Sequence, residues 1–141
     1  MNKKDIIILI IVALGLHLIW ENAQAPLFAG YQSFSQHFPM CFIGTIGDVA
    51  ITLSVLIFMW LLKKDRPQTV TDFIALAVLG FIIAVLIEQH ALLFNKWDYA
   101  IKMPIIPWLK VGLIPIAQMT LLLPLSFYLT GLFNKPKYYE Q

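Results

Sequence analysis

Four long apolar stretches, separated by short polar connections, dominate the chain: Ile6 to about Ala25, Phe42 to Leu62, Phe73 to Phe94, and about Ile105 to Phe133. A helix that crosses a bilayer needs roughly 20 predominantly apolar residues, and the first three stretches are close to that. The fourth is longer and holds Pro107, Pro115 and Pro124, so a tilt, a kink or a short interfacial turn is expected there. The pattern predicts an all-α polytopic membrane protein, a single domain with four transmembrane helices over 6–25, 42–62, 73–94 and 105–133. Short connections favour antiparallel neighbours, which gives an up-down-up-down bundle. Lys3 and Lys4 ahead of the first run, with Ala23-Gln24-Ala25 after it, imitate a secretory signal and its cleavage site. Pro26 would follow the cut, and Trp20, Glu21 and Asn22 crowd the end of the run, so the segment is read as the first span.

Composition agrees with this class. The 141 residues are 60% hydrophobic and 13% charged, with a mean hydropathy of +0.78. Soluble domains carry about 25% charged residues, so the expected solvent is lipid. A net charge of +2 is too small to argue for nucleic acid, and the position of the charges says more than their sum. Lys3, Lys4, Lys63, Lys64, Arg66, Lys135 and Lys137 fall on one side of the spans, whereas Lys96 and Lys102 fall on the other. The positive-inside rule then puts both termini and the 63–72 loop in the cytoplasm. The connections 26–41 and 95–104 face outward. Cys41 is the sole cysteine, which excludes an internal disulfide and a cysteine-rich metal site. There is no internal repeat, nucleophile elbow, phosphate-cradling glycine loop or haem-attachment motif.

Candidate chemistry enters with three carboxylates inside the apolar runs: Glu21, Asp48 and Glu88. Ionisable groups in hydrocarbon are costly and usually mark a functional site. Asp48 lies six residues past Phe42 and Glu88 six before Phe94, each about 9 Å below the outer edge of its span at 1.5 Å per residue. Glu21 lies about 6 Å below the end of its own span. Lys110 is expected at comparable depth in the fourth span, and Gln118 deeper, nearer the midplane. His17, Glu21 and Gln24 share one face of the first helix, as do Gly44, Asp48 and Thr52 on the second and Gly80, Ala84 and Glu88 on the third. Lys110 can neutralise one carboxylate. The others must hold a proton, pair with a histidinium, or bind a cation. Glu21, Asp48 and Glu88 are thus the catalytic candidates, with His17, Gln24, Trp97, Tyr99, Lys110 and Gln118 as substrate-binding candidates.

Simpler roles stand beside these. His17 can hydrogen-bond a neighbouring helix, and Asp48 and Glu88 can lock the bundle. Glu21 can meet water at the outer end, and Lys110 can snorkel outward. Trp97, Tyr99 and Trp108 fit an outer aromatic belt, and Trp60, Tyr138 and Tyr139 an inner one. Gln118, near Pro115, either mends a proline break or lines a cavity. His17, Glu21, Asp48, Glu88 and His90 offer imidazole and carboxylate groups that metals accept. Their spacing is not diagnostic, so neither a metal nor a cofactor is assigned.

The blocks HLIWENAQAPLF (17–28), IGD (46–48) and WDYAIKMPIIPWLKVGLIPIAQ (97–118) resemble blocks in small four-helix bacterial membrane proteins of no assigned activity. The resemblance implies a bacterial inner membrane and a shared use for Glu21, Asp48, Trp97, Tyr99 and Gln118. Three functions remain open. The first is a pocket near the outer leaflet that binds or converts a lipid-like or isoprenoid-like molecule under an aromatic roof of Trp97, Tyr99 and Trp108. The second is a small proton- or cation-coupled transporter, which would need to oligomerise. The third is a non-catalytic subunit of a larger membrane complex. Membrane lipids, a second copy of the chain, or a larger membrane protein are the expected partners.

Overall fold

The computed structural model describes residues 1–62 and 66–133. Lys63, Lys64, Lys135, Lys137, Tyr138 and Tyr139, used above for topology and the inner belt, lie outside the described residues. The architecture is helical: α1 (Lys3–Gln24), α2 (Phe34–Leu61), α3 (Val70–Leu93) and α4 (Leu113–Phe133). All four are long and apolar enough to cross a membrane.

Local chemistry explains where the helices begin. At α1, Asp5 N–H donates to Asn2 Oδ1 at 2.9 Å and Asn2 N–H donates to Asp5 Oδ2 at 3.1 Å. At α3, Thr69 and Asp72 form the same reciprocal box. Such boxes satisfy amide donors that a helix start leaves unpaired. After α1, Pro26 opens a single 3-10 turn over Ala25–Leu27. The second helix starts at Phe34, eight residues before the expected 42, and runs through Pro39. The polar, proline-containing segment 34–41 was expected to be a connection. It is helical all the same, with Pro39 in the second turn lacking the N–H that would bond back to Ser35.

The fourth stretch departs most from expectation. Residues 105–112 are a small antiparallel hairpin, not the start of a span: β1 (Ile105–Ile106) pairs with β2 (Val111–Gly112), with Ile105 opposite Gly112 and Ile106 opposite Val111. Pro107 sits in its turn. The Lys110 N–H donates to the Ile106 carbonyl at 2.8 Å, and Lys110 adopts a positive φ of 56°. The Leu113 N–H then donates to the Pro104 carbonyl at 2.7 Å, which ties the hairpin to the start of α4. Pro115 falls in the first turn of α4, where its missing N–H costs nothing, so only Pro124 interrupts the helix interior.

The helices meet in the order α2, α1, α4, α3, and α2 and α3 touch each other little. Leu9, Val55, Leu56, Met59, Leu76, Leu123 and Phe127 form one apolar cluster. Residues early in α1 and α3 and late in α2 and α4 thus share one end. Ala84, Val111, Ile116 and Met119 form a second cluster toward the other end. On α3 the buried stripe is Leu76, Gly80, Ala84, Glu88 and Ala91. Gly80 lies so close to α4 that a Cβ there would stand 2.9 Å from the Met119 carbonyl carbon. Large apolar side chains such as Ile19 (72% exposed), Leu61 (76%) and Leu86 (61%) point outward on helices long and apolar enough to cross a membrane.

Candidate functional site

At the end of the molecule away from the Leu9 cluster, α1, α2 and α4 bring five polar side chains together. Gln118 of α4 is at the centre, 3% exposed. Its Nε2 lies 2.8 Å from Asp48 Oδ2, 3.0 Å from Glu21 Oε1 and 3.2 Å from His17 Nδ1. Its Oε1 accepts from Gln24 Nε2 at 2.7 Å, and Gln24 Nε2 also donates to Glu21 Oε1 at 3.1 Å. His17, fully buried, places Nδ1 3.0 Å from Asp48 Oδ2. That separation requires one proton between the two atoms, carried by the imidazole or the carboxyl. Nδ1 is then engaged with Asp48, and the two Gln118 hydrogens are left for the carboxylates.

Helix geometry produces this convergence. His17, Glu21 and Gln24 recur at four and three residues on α1. Gln118 comes only five residues after Leu113, so it lies about 7–8 Å into α4 at 1.5 Å per residue. This corrects two expectations together. With the span starting at Leu113 and not at 105, Gln118 belongs to the carboxylate layer, whereas Lys110 lies before the helix in the hairpin turn. Lys110 is exposed and forms no ion pair with a carboxylate of the described residues.

The third carboxylate has its own setting. Glu88 of α3, 5% exposed, accepts a hydrogen bond from the Tyr99 hydroxyl and one from Trp97 Nε1 at 3.4 Å, both on Oε2. Tyr99 is held by the pairing of the two connections on this side. The Ala29 N–H donates to the Asp98 carbonyl and the Ala100 N–H to the Leu27 carbonyl, each at 2.9 Å, so Phe28 and Tyr99 form a bridge. The Phe28 ring packs against Trp97 at 6.3 Å and Tyr99 at 5.7 Å between centroids. Gly112 leaves room for the phenol: a Cβ there would stand 3.1 Å from Tyr99 Cζ. Burial, and then the hydrogen bond to Glu88, hold the Tyr99 phenol above its ordinary range. It therefore acts as a neutral donor. Trp108, expected in the aromatic roof, is 82% exposed and takes no part.

Each carboxylate thus accepts from two donors on a single oxygen, and the second oxygen of each has no partner among the described residues. Three other buried polar atoms also lack a partner: His17 Nε2, Trp20 Nε1 and Gln24 Oε1. Unsatisfied groups of this kind are rare in folded proteins and call for a ligand, a water or a partner chain. They follow one another along α1.

The sequence did not point to Phe28 as part of this region. Phe28 left no signal, because its contact depends on the pairing of two distant loops. Gly44 faces the Glu21 carboxylate, where a Cβ would stand 3.4 Å from Oε2, and its spacing of four from Asp48 was the visible clue. His90 is exposed and packs on Phe94, outside the cluster. Among the described residues no group of three or more His, Cys, Asp or Glu is arranged to hold a metal ion. A half-open cavity of about 360 Å³ occurs near the opposite end, lined by Met1, Asp5, Arg66, Phe73 and Tyr128 among others, and contains none of the clustered residues. No family model, no curated protein and no solved structure matches this chain.

Proposed function

We propose that the chain is a bacterial inner-membrane protein whose helices run up-down-up-down with both termini cytoplasmic. On this reading the polar layer lies below the outer leaflet and takes a lipid-like or isoprenoid-like molecule. One observation carries the proposal: His17, Glu21, Gln24, Asp48 and Gln118, from three helices, form a single buried network that still leaves polar atoms unpartnered. A network whose purpose was only to lock helices together would gain most by satisfying every member. The alternation of the helices is supported by the Leu9 cluster, which joins early residues of α1 and α3 to late residues of α2 and α4. Trp97 and Tyr99, pinned to Glu88, are the roof.

In a catalytic version, Glu21 or Asp48 exchanges a proton with the substrate and a neighbouring carboxylate stabilises developing positive charge. Mass spectrometry of gently purified protein tests the pocket. Wild type should carry a co-purifying lipid that an Asp48→Asn, Glu88→Gln variant carries at lower occupancy. Equal lipids at equal occupancy would sink the idea. A proton- or cation-coupled transporter is the second reading, supported by carboxylates that no Lys or Arg among the described residues neutralises.

A further inference from the structure

The hydrogens available to the five-residue cluster can be counted. Gln118 Nε2 supplies two, given to Glu21 and Asp48; Gln24 Nε2 supplies two, given to Glu21 and Gln118; and one more lies between His17 and Asp48. All five are used. What remains is acceptors: Glu21 Oε2, Asp48 Oδ1, Gln24 Oε1, and His17 Nε2 when the imidazole is neutral with its hydrogen on Nδ1. Gln24 Oε1 and His17 Nε2 are buried and unpartnered, and their side chains are 4% and 0% exposed.

Charge points the same way. With Glu21 and Asp48 ionised, His17 adds at most one positive charge, so the cluster then carries one or two negative charges. No Lys or Arg among the described residues lies within 4.0 Å of them. These five side chains therefore lack two things together, a spare hydrogen-bond donor and net positive charge. A phosphate or carboxylate head would add acceptors and negative charge where both are already in excess. An alcohol would supply a donor and leave the charge uncompensated. A quaternary ammonium would supply charge and no donor.

Resting on the pocket reading above, we infer that the molecule completing this site is an amphiphile with a protonated amine head, its N–H groups donating to Glu21, Asp48 and Gln24 and its apolar chain lying in the lipid. Charge-assisted donors to carboxylates are about twice as strong as neutral ones, which suits a site whose free atoms are carboxylate and amide oxygens. Glu21 and Asp48 are only partly buried, Asp48 with 16% of its side chain exposed, so the head has a side from which to approach. Between α2, which carries Asp48, and α3, which carries Glu88, the helices make little contact, and an alkyl chain can lie there without parting a packed interface.

Four probes with a common ten-carbon chain separate the alternatives: decylamine, decyltrimethylammonium, decanol and decyl phosphate. Each is titrated calorimetrically into the full chain in lipid nanodiscs at neutral pH, with empty nanodiscs as the blank. Decylamine should bind saturably, about tenfold or more tighter than decanol and decyltrimethylammonium, with no saturable binding of decyl phosphate. Glu21→Gln should weaken decylamine by a similar factor. Should that variant fail to fold, the ranking of the probes on the wild-type protein decides alone. If decyl phosphate, decanol or the quaternary ammonium binds as tightly as decylamine, the amine head is wrong and the pocket survives. If no probe binds saturably, the pocket reading falls with it.

Discussion

Gln118 shows how one neutral side chain can organise several charged ones. Its amide gives both hydrogens to carboxylates of different helices and accepts from Gln24, so α1, α2 and α4 meet at a single group. Gln118→Met keeps the volume and removes every one of these bonds. The two carboxylates and the Gln24 amide are then left short of partners, at about 1–3 kcal/mol for each buried polar group left unsatisfied, less whatever the lipid-embedded unfolded chain recovers. A net loss of about 2 kcal/mol or more is expected in unfolding by a denaturing detergent. Ser54→Ala is the control, since its exposed hydroxyl only bonds back to the Ala50 carbonyl and should matter by less than about 0.5 kcal/mol. If Gln118→Met unfolds like the control, the network is ornamental. At this scale the sequence was informative about the acids: His17, Glu21, Gln24 and Asp48 were legible because helical spacing and depth converge. It misread Gln118 and Lys110, because their depth depends on where α4 starts, and a largely apolar stretch from 105 to 133 conceals that point.

Among the elements, the hairpin at 105–112 and the approach of α3 to α4 do most to set the architecture. The hairpin was hidden because its residues, Ile-Ile-Pro-Trp-Leu-Lys-Val-Gly, are apolar enough to pass for a membrane run, and two-residue strands leave no alternation to detect. Pro107 and Gly112 were the available clues, one fitting a turn and the other a close approach. The α3–α4 contact was partly visible in the small residues Gly80 and Ala84, which let backbones come near. Their position makes a contrast of sign. Gly80→Ala would drive a methyl group into the Met119 backbone, and overpacking of this sort costs about 1–3 kcal/mol. Gly15 has open space where a Cβ would go, so Gly15→Ala gains helix propensity worth up to about 1 kcal/mol. Unfolding measured side by side should move in opposite directions. Equal effects would mean that α3 and α4 do not approach as closely as described.

The molecule as a whole divides into an apolar end, where Leu9, Leu56, Leu123 and Phe127 interlock, and a polar end closed by two connections that pair with each other. That pairing left no sign in the sequence, since loops distant in the chain carry no periodic pattern that would match them. Tyr99 is where the closure meets the chemistry, because its backbone bridges to Phe28 while its hydroxyl donates to Glu88. That donor exists only while the phenol keeps its proton. In an opened or unfolded chain the phenol ionises near pH 10, whereas in the closed structure burial and the Glu88 bond hold it higher. The contribution of Tyr99 to stability is therefore complete below about pH 10 and declines as the pH rises beyond that, since only the open form gives up its proton there. Tyr99→Phe removes the hydroxyl and with it this dependence, and leaves Trp97 as the one donor to Glu88 among the described residues. Thermal unfolding in detergent should show wild type above the variant by a constant margin between about pH 7 and 9, and the margin should shrink as pH climbs from about 10 toward 12. Other tyrosines and lysines titrate in both proteins and cancel in the difference. A margin that is the same at pH 8 and pH 11.5 would mean that the Tyr99 hydroxyl does not hold the polar end shut.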